Sequence, residues 1–174
     1  GEKQELSRSW VEVDFYFFTR YIVYMDFMKQ AIEEAFEGIT ENHGGPFGAV
    51  VVKDGKIVGK GHNTVLLNND PTCHGEIQAI RDAAKNLQTF DLSGCEIYTT
   101  AEPCPMCLGA ILWANIKTVC YGCNQKDTDE IGFRDSKFYD YINGKTCLLE
   151  MKESSKDECL ALFEKYKKLN RQKY

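Results

Sequence analysis

Apolar residues recur every three or four positions near the start of the domain and predict a helix. The run over residues 28–39 places its apolar side chains on one helical face, and Gly44-Gly45 ends the segment. The pattern then changes to two short apolar runs, over 47–52 and 56–60, that flank Asp54-Gly55. This dipeptide is typical of a tight hairpin turn, so we predict two paired antiparallel strands.

Helical and strand patterns alternate through the rest of the chain. The predicted elements are helices over 74–87, 104–114 and 138–142, strands over 96–100 and 117–121, a last strand at Leu148-Leu149, and a final amphipathic helix through Leu160, Phe163, Tyr166 and Leu169. Strands joined by crossover helices form a layered α/β sheet, which binds ligands at the ends of its strands. We therefore predict an α/β fold with its site at one edge of the sheet.

Length and composition fit one globular domain. A chain of 174 residues can bury a core without disulfides, and its eight cysteines follow no secretory signal. We therefore predict free thiols in a reducing, cytoplasmic compartment. The net charge of −5 opposes a general nucleic-acid partner, because phosphate binding requires a basic surface, and it favours a small neutral substrate.

The first 24 residues differ from the remainder. Their aromatic run, over 15–18, is soon broken by Arg20 and is too short to span a bilayer, so we expect no membrane anchor. We predict that one domain occupies residues 25–174. Residues 1–24 are either foreign to that domain or a native extension whose aromatic side chains pack on the domain or on a partner.

Two short motifs supply candidate metal ligands. They are His74-Gly75-Glu76 and Pro103-Cys104-Pro105-Met106-Cys107. One imidazole and two thiolates bind zinc readily, and three protein ligands leave the fourth tetrahedral position open to water. Cys104 and Cys107 lie three residues apart at a helix start, where they share a face and the positive helix end favours thiolates. The sequence therefore predicts one catalytic zinc per chain, held by His74, Cys104 and Cys107.

Glu76 is the candidate general acid and base. It lies two residues from His74, close enough to transfer the protons of a water at the open metal position. The alternative is a closed zinc site in a non-catalytic interaction module. Cys120 and Cys123 give this alternative weight, because two CxxC pairs resemble a zinc ribbon. An all-cysteine site leaves His74 and Glu76 without a role, so we favour catalysis.

The paired motifs resemble the signature of zinc-dependent nucleobase deaminases, within the cytidine deaminase superfamily. From residue 25 onward the chain is most similar to bacterial-type guanine deaminases of that fold. Phe47 and the Gly-Phe-x-Asp-Ser stretch over 132–136 carry the similarity to the guanine enzymes. The other matching stretches are 45–50, 62–63, 69–76 and 102–110.

This resemblance implies a three-layer α/β/α fold with a mixed five-stranded sheet, and conversion of a free purine base, guanine, to xanthine and ammonia. It implies that Phe47 stacks on the base, that Asn63 hydrogen-bonds it and that Asp135 accepts from purine N–H groups. It further implies a homodimer in which C-terminal segments, about 150–174, are exchanged, so that Tyr174 reaches the neighbouring subunit's site.

One position leaves the substrate open. Arg134 stands where the resembling proteins carry an acidic residue. The alternatives within the superfamily are a tRNA-specific adenosine deaminase and another nucleobase or nucleoside deaminase. The first of these requires a positive surface for its substrate.

Overall fold

The computed structural model describes residues 26–174, and the predictions for residues 1–24 lie outside that part of the chain. The elements, in order, are α1 over 26–40, β1 Gly48–Lys53, β2 Lys56–His62, α2 Val65–Asn68, α3 Gly75–Leu87, β3 Cys95–Ala101, α4 Pro105–Trp113, β4 Thr118–Cys123, α5 Gln125–Glu130, α6 Asp135–Ile142 and α7 Lys156–Lys168. The predicted alternation of strands and helices is confirmed. The short helices α2 and α5 were not predicted.

The hairpin between β1 and β2 forms as predicted. Asp54 and Gly55 both adopt left-handed backbone conformations, with φ of 49° and 73°. Positive φ at both central residues is the requirement of the two-residue turn that suits the twist of paired strands. The strands pair antiparallel from Lys53 opposite Lys56 to Gly48 opposite His62, with one irregularity between Val51 and Val52.

The sheet is mixed, with strand order β2-β1-β3-β4. Strand β1 is antiparallel to both β2 and β3, whereas β3 and β4 are parallel. The α/β class is confirmed, but the described residues form four strands and not five. The strand predicted at Leu148-Leu149 is wrong, because both side chains are exposed in an irregular stretch over 146–155 that pairs with no strand.

Helices cover both faces of the sheet. On one face, Val51 and Ile97 pack with residues of α3 and α4, including Ala79 and Ile111. On the other face lies a separate cluster, formed by Phe27, Ala31, Val50, Val52 and Tyr98. Neighbouring strand residues thus point into opposite clusters, as the two-residue period of a strand requires, and the result is a three-layer arrangement.

The ends of several elements lie together along one edge of the sheet. The start of β1 and the ends of β2 and β3 meet there, because β1 runs antiparallel to both neighbours. Helix α4 begins shortly after β3 ends, and twelve residues separate the end of β2 from the start of α3. Within residues 26–174, no helix has the length and apolarity to cross a bilayer.

Candidate active site

Two helix N-termini bring the predicted metal ligands together. His74 is the residue that caps α3, Cys104 caps α4, and Cys107 lies in the first turn of α4. His74 Nδ1 lies 3.6 Å from Cys104 Sγ and 3.5 Å from Cys107 Sγ. The three ligand atoms all lie within 4.8 Å of one another. Residues separated by about thirty positions in the chain therefore converge on one point.

These separations fit a tetrahedral zinc ion. Bond lengths of about 2.1 Å to nitrogen and about 2.3 Å to sulfur, at a tetrahedral angle, separate the two ligand atoms by about 3.6 Å. The observed distances from Nδ1 to both sulfurs match that value. Nδ1 is thus the nitrogen aimed at the metal, and His74, Cys104 and Cys107 fit the ion as a three-ligand set.

The local electrostatics favour a bound cation. The pKa of Cys104 is lowered to about 4, first because Cys107 donates a hydrogen bond to its thiolate and then because His74 lies beside it. The same hydrogen bond, followed by burial, raises the pKa of Cys107. The thiol pair therefore holds a negative charge next to two positive helix ends, and a bound zinc ion would take the place of the shared proton.

Glu76 lies in the first turn of α3, directly beside the ligands. Its side chain is buried, with the residue 5% exposed, and it lines the same pocket as His74 and Cys104. Burial is the main cause that raises the pKa of its carboxyl group. A carboxyl group with a raised pKa, next to a metal position, is suited to take up and return protons.

A pocket opens over the metal ligands. It contains about 320 Å³ of empty space, part of it open to solvent, and is lined by Phe47, Asn63, His74, Glu76, Ala101, Glu102, Cys104, Phe133 and Asp135. Three of the four predicted substrate residues, Phe47, Asn63 and Asp135, therefore lie around it. Sequence reasoning gave no role to Phe133 or Glu102, whose positions depend on how distant segments pack.

The aromatic part of the pocket consists of two rings. The ring of Phe133 meets that of Phe47 edge to face, with centroids 4.7 Å apart and planes inclined at 82°. Such pairs are favourable beyond their apolar burial. Phe133 therefore holds the ring of Phe47 in a fixed orientation at the pocket wall.

The polar part of the pocket is formed by Asn63 and Asp135. Asn63 is buried, and its Oδ1 accepts a hydrogen bond from the Val65 N–H, which fixes the side-chain amide. Asp135 is the half-buried first residue of α6. Burial, followed by the charge of Cys104, raises the pKa of Asp135. The pocket thus combines an amide, a carboxyl group and aromatic rings within reach of the metal ligands.

Tyr174 lies elsewhere in its own chain. Its ring packs against those of Phe90 and Trp113, at centroid distances of 6.2 and 5.8 Å, and it is not among the pocket residues. Its predicted reach into a neighbouring subunit's site stays a prediction.

Cys120 and Cys123 do not form a zinc ribbon with Cys104 and Cys107. Both lie on β4, where residues three apart point to opposite faces of the sheet. Cys120 packs on the apolar cluster around Tyr98, whereas Cys123 is exposed. Over residues 26–174, neither belongs to a group of side chains arranged to hold a metal.

A second polar cluster adjoins Asn63 in the chain. The carboxylate of Glu34 pairs with Lys60 Nζ at 2.8 Å and with His62 Nδ1 at 3.2 Å, and His62 Nε2 lies 2.9 Å from His43 Nδ1. Glu37 lies near enough to complete a possible ligand set with Glu34 and His62. Because Glu34 is already paired, the cluster is satisfied as a network that ties α1 to the end of β2.

Comparisons with known proteins agree with this geometry. Residues 23–123 match the cytidine and deoxycytidylate deaminase zinc-binding region. The guanine deaminase of Bacillus subtilis is 51% identical over 117 residues, which are 67% of this chain and 75% of that protein. Its crystal structure matches with a TM-score of 0.78 and 42% identity, covering 86% of this chain and 98% of that one. A tRNA-specific adenosine deaminase of Haemophilus influenzae is 45% identical over 97 residues, 55% of this chain and 56% of that protein.

Proposed function

This chain belongs to the cytidine and deoxycytidylate deaminase family of zinc-dependent hydrolytic deaminases, and from that premise we propose that it converts free guanine to xanthine and ammonia. The observation that carries the proposal is the pocket itself, in which Phe47, Asn63 and Asp135 surround the candidate metal ligands and Glu76. In this reaction the bond from C2 to the amino nitrogen breaks and a bond from C2 to a water oxygen forms. One proton of the water passes to a ring nitrogen and the other to the departing amine.

One zinc ion per chain is held by His74, Cys104 and Cys107. When bound, it would supply Lewis-acid chemistry that activates a water molecule. The two thiolates and the single imidazole set the charge of the site, and the N-termini of α3 and α4 offset its negative part.

Glu76 moves the protons. Its carboxylate accepts a proton as the oxygen attacks C2, delivers it to a ring nitrogen, and later protonates the leaving amine. Its burial beside Cys104 and His74 supports this role, because the group is shielded from solvent and lies in the pocket. A purely structural zinc site has no need of a buried carboxyl group at this point, which argues against a non-catalytic interaction module.

Phe47, Asn63 and Asp135 bind the base. The Phe47 ring, held by Phe133, stacks on the purine plane. The fixed amide of Asn63 donates to a purine acceptor, since its oxygen is engaged by Val65. The Asp135 carboxylate accepts hydrogen bonds from the N–H groups that guanine presents around C2.

A tRNA-specific adenosine deaminase is the second candidate within the family. The similarity to the Haemophilus influenzae protein favours it. The net charge of −5 opposes it, because binding a polyanion requires a positive surface. Guanine is therefore the better-supported substrate.

Residues 25–174 act as one domain that pairs into a homodimer with exchanged C-terminal segments. Every residue over 142–174 is exposed, including the apolar Leu160, Phe163 and Leu169 of α7. An amphipathic helix whose apolar side chains remain exposed needs a partner to cover them. The exchange brings Tyr174 to the neighbouring pocket.

The eight free thiols of the protein support a cytoplasmic location.

An ammonia-release assay on zinc-loaded protein tests the proposal. The substrates are guanine, adenine, cytosine, cytidine, adenosine and a tRNA anticodon stem-loop that contains adenosine. We expect ammonia from guanine well above the amounts from the others. Preference for the stem-loop would favour the tRNA enzyme, and no release from any substrate would favour the interaction module.

A further inference from the structure

Helices α5 and α6 are attached to the two residues that precede Cys104. The backbone N–H of Gln125, the first residue of α5, donates to Glu102 Oε2 at 3.1 Å, and its side-chain amide donates to Glu102 Oε1 at 3.1 Å. The chain segment that carries Asp135 is thereby joined at one end to the loop that carries a metal ligand.

A second attachment comes from Tyr139 in α6. Its hydroxyl donates a 2.6 Å hydrogen bond to the backbone carbonyl of Pro103, a buried residue directly before Cys104. Tyr139 lies four residues after Asp135, so the two side chains occupy the same face of α6, one turn apart. Burial is the first cause that raises the pKa of the Tyr139 hydroxyl, to about 12, and it therefore remains a donor at neutral pH.

We infer that Tyr139 is a positioning residue for the reaction proposed above: its bond to Pro103 sets the distance between the Asp135 carboxylate and the metal ligands. The Asp135 carboxylate must accept from the N–H groups around C2 while C2 itself lies beside the metal ligands and Glu76. Both requirements are satisfied only if α6 is fixed relative to the loop before Cys104. The hydrogen bonds to Glu102 fix the start of α5. The hydrogen bond from Tyr139 fixes α6, which bears Asp135.

Removal of the hydroxyl alone isolates this contact. Tyr139→Phe keeps the ring and its packing but loses the bond to Pro103, so α6 can shift and Asp135 loses its alignment. Misplacement of a binding group by about 1 Å can reduce a rate as much as a hundredfold, and the loss of one neutral hydrogen bond corresponds to roughly a fivefold effect. We expect kcat/KM for guanine to fall by roughly 5- to 30-fold.

Tyr141→Phe is the matched control. It removes a hydroxyl from the same helix, and within residues 26–174 that hydroxyl makes no hydrogen bond. We expect Tyr141→Phe to keep the wild-type kcat/KM. Zinc content should be the same for both variants, because neither hydroxyl contacts the metal ligands directly. The melting temperature of Tyr139→Phe should be somewhat lower than that of Tyr141→Phe, because only Tyr139→Phe loses a hydrogen bond to a buried carbonyl.

A double-mutant cycle with Asp135→Asn tests whether Tyr139 acts through Asp135. We expect Tyr139→Phe to have little further effect on guanine turnover once Asp135 is replaced, since there is then no carboxylate to align. Equal effects of Tyr139→Phe in both backgrounds would show that it acts elsewhere. Loss of zinc from Tyr139→Phe would show that the bond supports the metal loop, and this too would overturn the inference.

The test separates this inference from the proposed function on which it rests. A wild-type protein that releases no ammonia from guanine would overturn both. An active wild type with equal activity in the Tyr139→Phe and Tyr141→Phe variants would overturn the inference alone.

Discussion

Replacement of Glu76 by glutamine separates proton transfer from metal binding. Glu76 is buried and is not one of the three metal-ligand side chains. Glutamine has nearly the same shape, so α3 and the ligands should keep their positions. Its amide cannot take up and return a proton. The variant should therefore bind zinc and guanine normally while it turns guanine over slowly.

The size of the loss follows from the role of the group. General acid–base catalysis contributes about 10²–10⁴-fold to a rate, which is about 2.7–5.4 kcal/mol of transition-state stabilisation at about 1.36 kcal/mol per tenfold. We expect kcat for guanine to fall within that range and KM to change little, because Glu76 handles protons and does not hold the base in the ground state.

The assay is steady-state ammonia release at saturating guanine, with wild type and variant matched for zinc content. The control is Glu41→Gln, the same substitution at an exposed position directly after α1. We expect the control to retain wild-type turnover. Near-normal turnover by Glu76→Gln would refute the assignment of proton transfer, and loss of zinc from this variant would assign Glu76 to support of the metal site instead.

Four further outcomes are expected. Asp135→Asn mismatches donors and acceptors around guanine at a cost of roughly 1–3 kcal/mol, so kcat/KM for guanine should fall by about one to two orders of magnitude. Zinc content should not change, and an equal loss of activity on a base without those N–H groups would contradict the role of Asp135. Phe47→Ala should raise KM through lost stacking and leave zinc content intact, as metal analysis would check. Replacing Cys120 and Cys123 together by serine should leave one zinc per chain, and metal loss would restore the ribbon interpretation. Gly59→Ala should lower the melting temperature, because its Cβ would collide with the backbone of α3.

The local signals in the sequence were sufficient for the metal site. The spacing of Cys104 and Cys107 at a helix start is set by short-range helix geometry, so the pattern predicts that both side chains share a face. Glu76 is close to His74 because both lie at the start of α3. The hairpin at Asp54-Gly55 is equally local, since the turn itself requires positive φ at both residues.

The features that sequence reasoning missed depend on tertiary packing. Phe133 reaches Phe47, and Tyr139 reaches Pro103, across long separations in the chain. No periodicity reports such contacts. The predicted strand at Leu148-Leu149 fails for a related reason, because two apolar residues form a strand only where a sheet edge accepts them, and none of the described strands does.

The most direct test of the account is a product balance on guanine with zinc-loaded and metal-free protein. Metal content, xanthine and ammonia are measured in the same samples. We predict one zinc per chain, equal amounts of xanthine and ammonia from the loaded protein, and neither product from the metal-free protein until zinc is restored. Fully zinc-loaded, folded protein that forms no xanthine from guanine would contradict the account.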